Sequence, residues 1–391
     1  MTRALGEGPW SGAAGSGALD GLARELALTV LVHGPLSRRD LAERLDVSPA
    51  TLTRLSSPLV ERGLLIAAEE PVTGRLGRPA RPLDIAADSH TFIGVKVAGD
   101  TIHAVRTNLR AEIQASADAP LTSQAPQDAL AVIKQLIGEL DPHRETSGLG
   151  ISLGGSTPDH RVVSRAPFLH WTDVPFAEMA SSMLGLPAVI ENDLIALTVA
   201  EEWFGDGRDV DSFAILTIGA GVGYGLVMHR RLVASPDAGV GLIGHFPVDP
   251  DGPWCAEGHR GCADTMLSIT GVEAQASLAL RHGVTYAEVM SLAEAGDPAA
   301  RAIVHASGLA LGRLVASIAN LTMCQRIFVS GEGIQLAQVA LESVWEGIAR
   351  DREPNASVVD LVVQPYDSDL WARGAAAVAI QQFVMSEGNT R

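Results

Sequence analysis

The sequence predicts an α/β body preceded by a small, mainly α-helical N-terminal module. Three observations carry this prediction. From about residue 90 onward, β-like runs and amphipathic stretches alternate, the pattern of a layered α/β fold. The first 90 residues show short helical stripes broken by turn signals. Charge divides at the same place: residues 1–90 hold ten Arg against eleven Asp or Glu, whereas the whole chain carries −17.

Composition sets the bounds. At 391 residues the chain is long enough for two or three domains. It is 47% hydrophobic and 19% charged, which supports large cores. No uninterrupted apolar run of about 18 residues is present, so no membrane span is expected. The N-terminus, MTRALGEGPWSGAAGSGALD, lacks the apolar segment of a signal peptide. Three cysteines fit a reducing cytoplasm better than a disulfide scaffold. A protein that coats DNA uniformly would be basic, so any nucleic-acid contact is expected in the near-neutral module.

Residues 1–17 form a Gly/Ser/Ala tail, expected to be disordered. Residues 18–88 make the module. Leu19, Leu22, Leu26 and Val30 form a helical stripe that Gly34-Pro35 ends. Ser37 to Asp40 starts a second helix, with Leu41 and Leu45 facing inward. Asp46-Val47 is a tight turn; Ser48 then caps a third helix, with Pro49 in its first position. Leu52, Leu55 and Leu59 are its buried face, leaving Ala50, Thr51, Thr53, Arg54 and Ser57 outside. Pro58 is expected to kink it.

Three short helices with a tight turn before the third resemble a helix-turn-helix, whose third helix enters the major groove N-terminus first. Ser48, Ala50, Thr51, Thr53 and Arg54 occupy that end. Small residues permit close approach, and Arg can read guanine bidentately. Leu64 to Ala68 is strand-like, and Val72 to Arg75 reads as a hairpin turn, making a wing. Arg75, Arg78 and Arg81 follow among Gly, Pro and Ala, an arm suited to a minor groove. The expected partner is double-stranded DNA.

The body begins near His90. Thr91 to Lys96 and Thr101 to Thr107 read as a hairpin, Pro126 to Leu140 as a helix and Gly148 to Leu153 as a buried strand. Phe176 to Leu184 is helical, Ala188 to Ile190 is a strand running into Glu191-Asn192-Asp193, and Leu194 to Trp203 is a helix. Ile215 to Ile218 then enters Gly219, Gly221, Gly223 and Gly225, whose alternation leaves one strand face bare. A last helix spans about Leu370 to Val384. His245, Cys255 and Cys262, with Glu257 and His259 between the cysteines, suggest a zinc site.

Taken together, the segments GRLGRPARPL, IENDLIALTVAEE, TIGAGVGYGLV, GLIGH, CAEGHRGCAD and FVSGEG resemble, in order and over nearly the full length, the ROK family of repressors, open reading frames and kinases. The resemblance implies a body of two lobes with the actin-like ATPase and sugar-kinase fold, one about 89–202 plus 370–386 and the other about 203–369. It implies a sugar site between the lobes and a structural zinc beside it. In the family's kinases the Asp of Glu-Asn-Asp takes the proton from the sugar hydroxyl; that position is Asp193, with Asn192 bonding the sugar. By the same resemblance His245 is both zinc ligand and sugar neighbour, and Asp264 stands where the family has a sugar-binding Glu.

The departures shape the expectation. The kinases' Asp-x-Gly-Gly-Thr phosphate loop is here Lys96-Val-Ala-Gly99-Asp100. A Lys cannot hold Mg²⁺ and Asp100 repels phosphate, so no catalysis and no ATP are expected. Leu242 replaces the Glu of Glu-x-Gly-His, and Phe168 replaces the Asn of Ala-Pro-Asn. Each lost hydrogen bond costs roughly 1 kcal/mol for an unmodified hexose. The middle Cys of the family's zinc pattern is Glu257, giving His245, Cys255, Glu257 and Cys262 as ligands, with His259 the alternative fourth.

The function expected is a cytoplasmic DNA-binding transcriptional regulator that controls carbohydrate metabolism, whether as repressor or activator, in answer to a sugar-like effector, as a homodimer or homotetramer on an operator. An ATP-dependent sugar kinase and a ligand-independent DNA-binding dimer are the alternatives.

Overall fold

The computed structural model describes residues 17–68, 81–235, 237 and 239–385. Contacts divide the chain into two units: residues 1–208 with 369–391, and residues 209–368.

The first unit opens with α1 (Gly17–His33), α2 (Arg38–Arg44) and α3 (Pro49–Glu61). The starts of α2 and α3 follow from capping. Ser37 accepts from the Asp40 N–H at 3.1 Å, and Ser48 from the Thr51 N–H at 3.1 Å, which satisfies amide donors that a helix start leaves unpaired. The third helix continues through Pro58 to Glu61. The proline lacks the N–H that would bond the Arg54 carbonyl, and it lies in the last turn, with only three helical residues beyond it. Leu26, Leu31, Leu41, Leu52, Leu55 and Leu59 are buried together. Strands β1 (Leu65–Ala67) and β2 (Leu83–Ile85) pair antiparallel at the base of the expected wing. The turn predicted at Val72 to Arg75, with Arg78, falls outside the described residues.

The α/β part of this unit follows: β3 (Thr91–Val97), β4 (Thr101–Asn108), β5 (Ile113–Pro120), α4 (Pro126–Leu140), β6 (Thr146–Leu153), β7 (Val163–Ala166), β8 (Trp171–Val174), α5 (Phe176–Leu184), β9 (Ala188–Asn192) and α6 (Asp193–Phe204). Its sheet has the order β5-β4-β3-β6-β9, with β3 parallel to β6 and β6 parallel to β9. Helices α4 and α5 cover one face through Leu130, Ile133, Phe176 and Ala180.

The second unit contains β10 (Phe213–Ile218), β11 (Val222–Met228), β12 (Arg231–Leu232), α7 (Ala263–Leu267), α8 (Ile269–Leu280), α9 (Tyr286–Glu294), α10 (Pro298–Thr322), β13 (Arg326–Ser330), α11 (Gln335–Val339), α12 (Leu341–Asp351) and β14 (Asp360–Val363). Its sheet order, β12-β11-β10-β13-β14, repeats the first: an antiparallel three-strand meander continued by two parallel strands. The predicted bare face is divided, because Gly219 and Gly221 form the turn between β10 and β11 and only Gly223 and Gly225 lie on β11. Helix α10 is long and apolar enough to cross a membrane, but Val304, Leu311, Leu314, Val315 and Ile318 lie in the core of this unit. It packs on α12 so closely that a Cβ at Gly312 would lie 2.1 Å from the Val344 carbonyl oxygen.

Helix α13 (Ser368–Met385) returns to the first unit. A Cβ at Gly150 of β6 would lie 1.8 Å from the Ala375 carbonyl oxygen, so the helix backbone rests directly on the sheet. Its last turns, through Ala379, Ile380 and Val384, join the core of α1 and α3. The helical module and the first α/β layer therefore share one apolar core.

Candidate functional site

The predicted ligand residues fall on both units. Asn192 and Asp193 lie in the first, His245 and Asp264 in the second.

Asn192 ends β9 and caps α6. Its Oδ1 accepts from the N–H groups of Leu194 and Ile195 at 3.0 and 3.1 Å, and its Nδ2 donates to the Gly155 carbonyl at 2.9 Å. One amide hydrogen remains to donate to a ligand. Asp193 accepts the Leu194 N–H on Oδ1 at 2.9 Å, and its Oδ2 is paired with the Lys96 ammonium. Lys96 is 8% exposed, and its Nζ lies 4.9 Å from the centre of the Trp371 ring. Phe168 stands beside this pair: a Cβ at Gly154 would lie 3.3 Å from its ring and 3.7 Å from Asp193 Oδ2. The ring is 54% exposed, an apolar surface next to a committed ion pair. Asp100 is exposed on the β3–β4 turn.

Glu191 precedes the cap. It accepts from Thr157 at 3.0 Å through Oε1, and its Oε2 lies 3.0 Å from His160 Nδ1 as an ion pair. That carboxylate raises the His160 pKa above its usual value, against the opposing effect of burial. Sequence reasoning passed over His160, which lies 31 positions away in a loop with no recognisable motif.

In the second unit a short 3-10 turn, Leu242–His245, carries an exposed Leu242 and delivers His245. Asp264 accepts the Val222 N–H on Oδ1 at 2.9 Å, which ties the start of α7 to β11. His245, Cys255, His259 and Cys262 converge, with one ligand atom from each lying within 4.8 Å of the others. Of the two alternatives expected for the fourth position, the cluster takes in His259 and not Glu257. The cause is local. Gly258 takes φ +80 and donates its N–H to the Cys255 carbonyl at 3.1 Å, and the Cys255 N–H bonds the His259 carbonyl at 2.8 Å. The resulting tight turn folds His259 back onto Cys255 and leaves Glu257 exposed at its tip.

The His259 N–H also donates to Cys255 Sγ at 3.3 Å. Burial works against ionising Cys255, yet hydrogen bonds from the backbone of His259 and Glu257 lower its pKa overall. Burial pushes the Cys262 thiol up to about 11. Ligand atoms around a tetrahedral zinc stand about 3.3–3.8 Å apart, given Zn–N near 2.0 Å and Zn–S near 2.3 Å. Cys255 Sγ and His245 Nδ1, at 3.8 Å, already meet that spacing. Two thiols and two imidazoles fit a tetrahedral metal ion.

On α3, Ala50, Thr53 and Arg54 are exposed and Thr51 is half-buried. The hydroxyls of Ser48 and Thr51 bond each other at 3.0 Å, and Thr53 Oγ1 donates to the Pro49 carbonyl at 3.0 Å. Arg54 and Arg81 make no hydrogen bond or ion pair among the described residues, so both guanidinium groups are available to a partner. Arg38 Nη1 donates to Ser56 Oγ at 2.8 Å and locks α2 against α3.

Two sheets of one repeated strand pattern, behind a three-helix module, define a two-unit protein of the sugar-kinase type of fold. Residues 92–382 match the ROK family, and the chain belongs to that family. It is 26% identical over 330 residues to the DNA-binding transcriptional dual regulator NagC of Escherichia coli K12, covering 80% of each chain. It is 30% identical to the N-acetylmannosamine kinase of E. coli O127:H6, covering 74% of this chain and 98% of the kinase. Among solved structures, a ROK family transcriptional regulator homologous to E. coli Mlc shares the fold with a TM-score of 0.77 at 23% identity, over 93% of this chain and 95% of that one.

Proposed function

We propose that this chain is a DNA-binding transcriptional regulator, a repressor of carbohydrate metabolism, whose body senses a sugar-like effector. The α3 surface carries the proposal. It presents small residues and an unengaged Arg54 at the N-terminal end of a helix braced from behind by α2. The regulators' likeness extends over the module, whereas the kinase match covers 74% of the chain. The contacts proposed to DNA are Ser48, Ala50, Thr51, Thr53 and Arg54 in the major groove, with Arg75, Arg78 and Arg81 as the arm. A homodimer or homotetramer in the cytoplasm suits a palindromic operator.

Asn192, Asp193, His245 and Asp264 are the proposed effector contacts. Lys96 neutralises Asp193, and Phe168 and Leu242 offer apolar surface, so the effector is less polar than a free hexose or is a modified sugar. A structural Zn²⁺ on His245, Cys255, His259 and Cys262 would fix the loop that leads to Asp264. ATP has no part in this reading, since Lys96 holds the position where a kinase needs a metal-organising carboxylate.

The likeness to N-acetylmannosamine kinase and the retained Asp193 favour a sugar kinase as the second reading. One experiment separates the two: thermal melts against sugars, sugar phosphates and ATP, with gel-shift titrations on selected DNA. A sugar that raises the melting temperature and changes DNA affinity, without consuming ATP, supports the regulator. ATP-dependent sugar phosphorylation that Asp193→Asn abolishes would replace it.

A further inference from the structure

We propose that Arg373 and Arg110 form a relay of positioning residues coupling the helix that carries Asp193 to the DNA-binding module. The proposal rests on the DNA-binding reading above, and every group in it belongs to the first unit.

The effector end is α6. Asn192 caps its first turn and Asp193 begins it; Leu194 to Glu201 are buried without interruption. A helix packed on all sides moves as one piece, so a displacement at Asp193 reaches Phe204 at the other end. There the Phe204 carbonyl accepts from Arg373 Nη2 at 2.9 Å. The same guanidinium donates through Nε to the Ala111 carbonyl at 2.8 Å. One rigid fork thus holds the end of α6 and the β4–β5 turn at a fixed distance.

That turn is over-determined. Ala111 takes φ +54, a left-handed conformation unusual for a residue with a Cβ. Asn108 holds it there: its Oδ1 accepts the N–H groups of Arg110 and Glu112 at 3.0 and 3.1 Å, and its Nδ2 donates to Glu112 at 2.7 Å. A turn braced in this way transmits a shift instead of absorbing it.

Arg110 is the outgoing arm. It donates to the Gly34 and Val30 carbonyls at 3.1 Å each and pairs with Asp84. Val30 and Gly34 lie at the C-terminal end of α1, where the helix dipole favours a cation. Asp84 is on β2, at the base of the wing. Leu36 and Leu83 exchange backbone hydrogen bonds at 3.0 and 2.8 Å beside it, so α1, the lead into α2 and the wing strand meet at one guanidinium. From there the Arg38–Ser56 bond continues to α3.

The test uses the full chain and a DNA duplex that the full chain itself selects from a random library. If no duplex is selected, the DNA-binding reading falls and the relay falls with it. With a duplex in hand, affinity is measured for the wild type, Asp193→Asn, Arg373→Lys, Arg110→Lys and the corresponding double variants. Lys keeps the charge but cannot hold two acceptors in the Arg fork. Asp193→Asn changes affinity by about fivefold or more in the wild-type background. In either Lys background the change drops below about twofold. Equal changes in every background, or none in the wild type, overturn the relay while leaving DNA binding intact.

A second readout needs no DNA. Amide exchange at Leu36 and Leu83 responds to Asp193→Asn only while both arginines are present; a response that survives their replacement overturns the relay. Arg313→Lys is the control, since Arg313 also bridges two acceptors, Asp351 and Val248, but in the second unit. Loss of coupling in that control overturns the proposal as well. Should Arg110→Lys fail to fold, Asp84→Asn removes the wing end of the clamp alone, and the same loss of coupling is expected.

Discussion

The ammonium of Lys96 pairs with the carboxylate of Asp193, 97 positions further along the chain. Lys96 lies on β3 and Asp193 at the start of α6, so the pair joins a sheet strand to the helix that leaves its far edge. Their side chains are 10% and 16% exposed, which makes each the other's main compensation for lost water. Lys96→Met is expected to destabilise the protein by about 2–3 kcal/mol, because it strands a poorly hydrated carboxylate. Adding Asp193→Leu recovers much of the loss. Urea unfolding of the single and double variants measures both, and an unchanged midpoint for Lys96→Met would show the pair to be dispensable.

Metal content decides the loop. One equivalent of zinc is expected per chain, lost in Cys255→Ser and in His259→Ala and kept in Glu257→Gln. Elemental analysis of the purified variants reads this directly. Chelation should lower the melting temperature, since the ion binds the folded loop in preference to the unfolded chain. Retained zinc in His259→Ala would return Glu257 to the ligand set.

Arg54 and Arg81 should fail differently. Arg54→Ala is expected to cost about 1–3 kcal/mol in operator affinity and to relax sequence preference at one base position. Arg81→Ala is expected to weaken binding most on duplexes whose flanks are A·T-rich, where a narrow minor groove draws arginine. Gel-shift titrations on duplexes that differ at single bases or in flanking A·T content separate the two contacts. Equal losses on every duplex for both variants would place both on the phosphates.

Glu202, half-buried on α6, has its pKa raised by burial from 4.5 to about 7. Between those values the folded state holds a proton that the unfolded state has released. Stability from this group is therefore present below pH 4.5 and is lost as pH rises toward 7. Glu202→Gln should remove that slope and, at pH 8, stabilise the protein by about 1–3 kcal/mol. A melting series from pH 5 to 8 tests it; parallel curves for the two proteins would refute the assignment.

The elements that sequence made visible were those with local chemistry. Pro126 at a helix start and a strong apolar stripe give α4 its bounds, and Ser48-Pro49 gives α3 its first turn. Strand β5 escaped because it is an edge strand of Ala, Ser and Asp with mostly exposed or half-exposed residues. His259 could not be chosen over Glu257 from spacing, because the choice depends on a left-handed Gly258. Arg110 was invisible for another reason: its partners Val30, Gly34 and Asp84 lie 80, 76 and 26 positions away. Lys96 stood out as a substitution in a motif, yet only the fold reveals that its charge is spent on Asp193.

Helix α13 reaches the first unit only after residues 209–368 have been laid down. On a ribosome, α1 and α3 are made early, but Ala379, Ile380 and Val384, which complete the core beneath Leu26, Leu31 and Leu59, are made more than three hundred residues later. Arg373 arrives on the same late helix. Until that helix has been made, α1 and α3 lack the residues that close their shared apolar core.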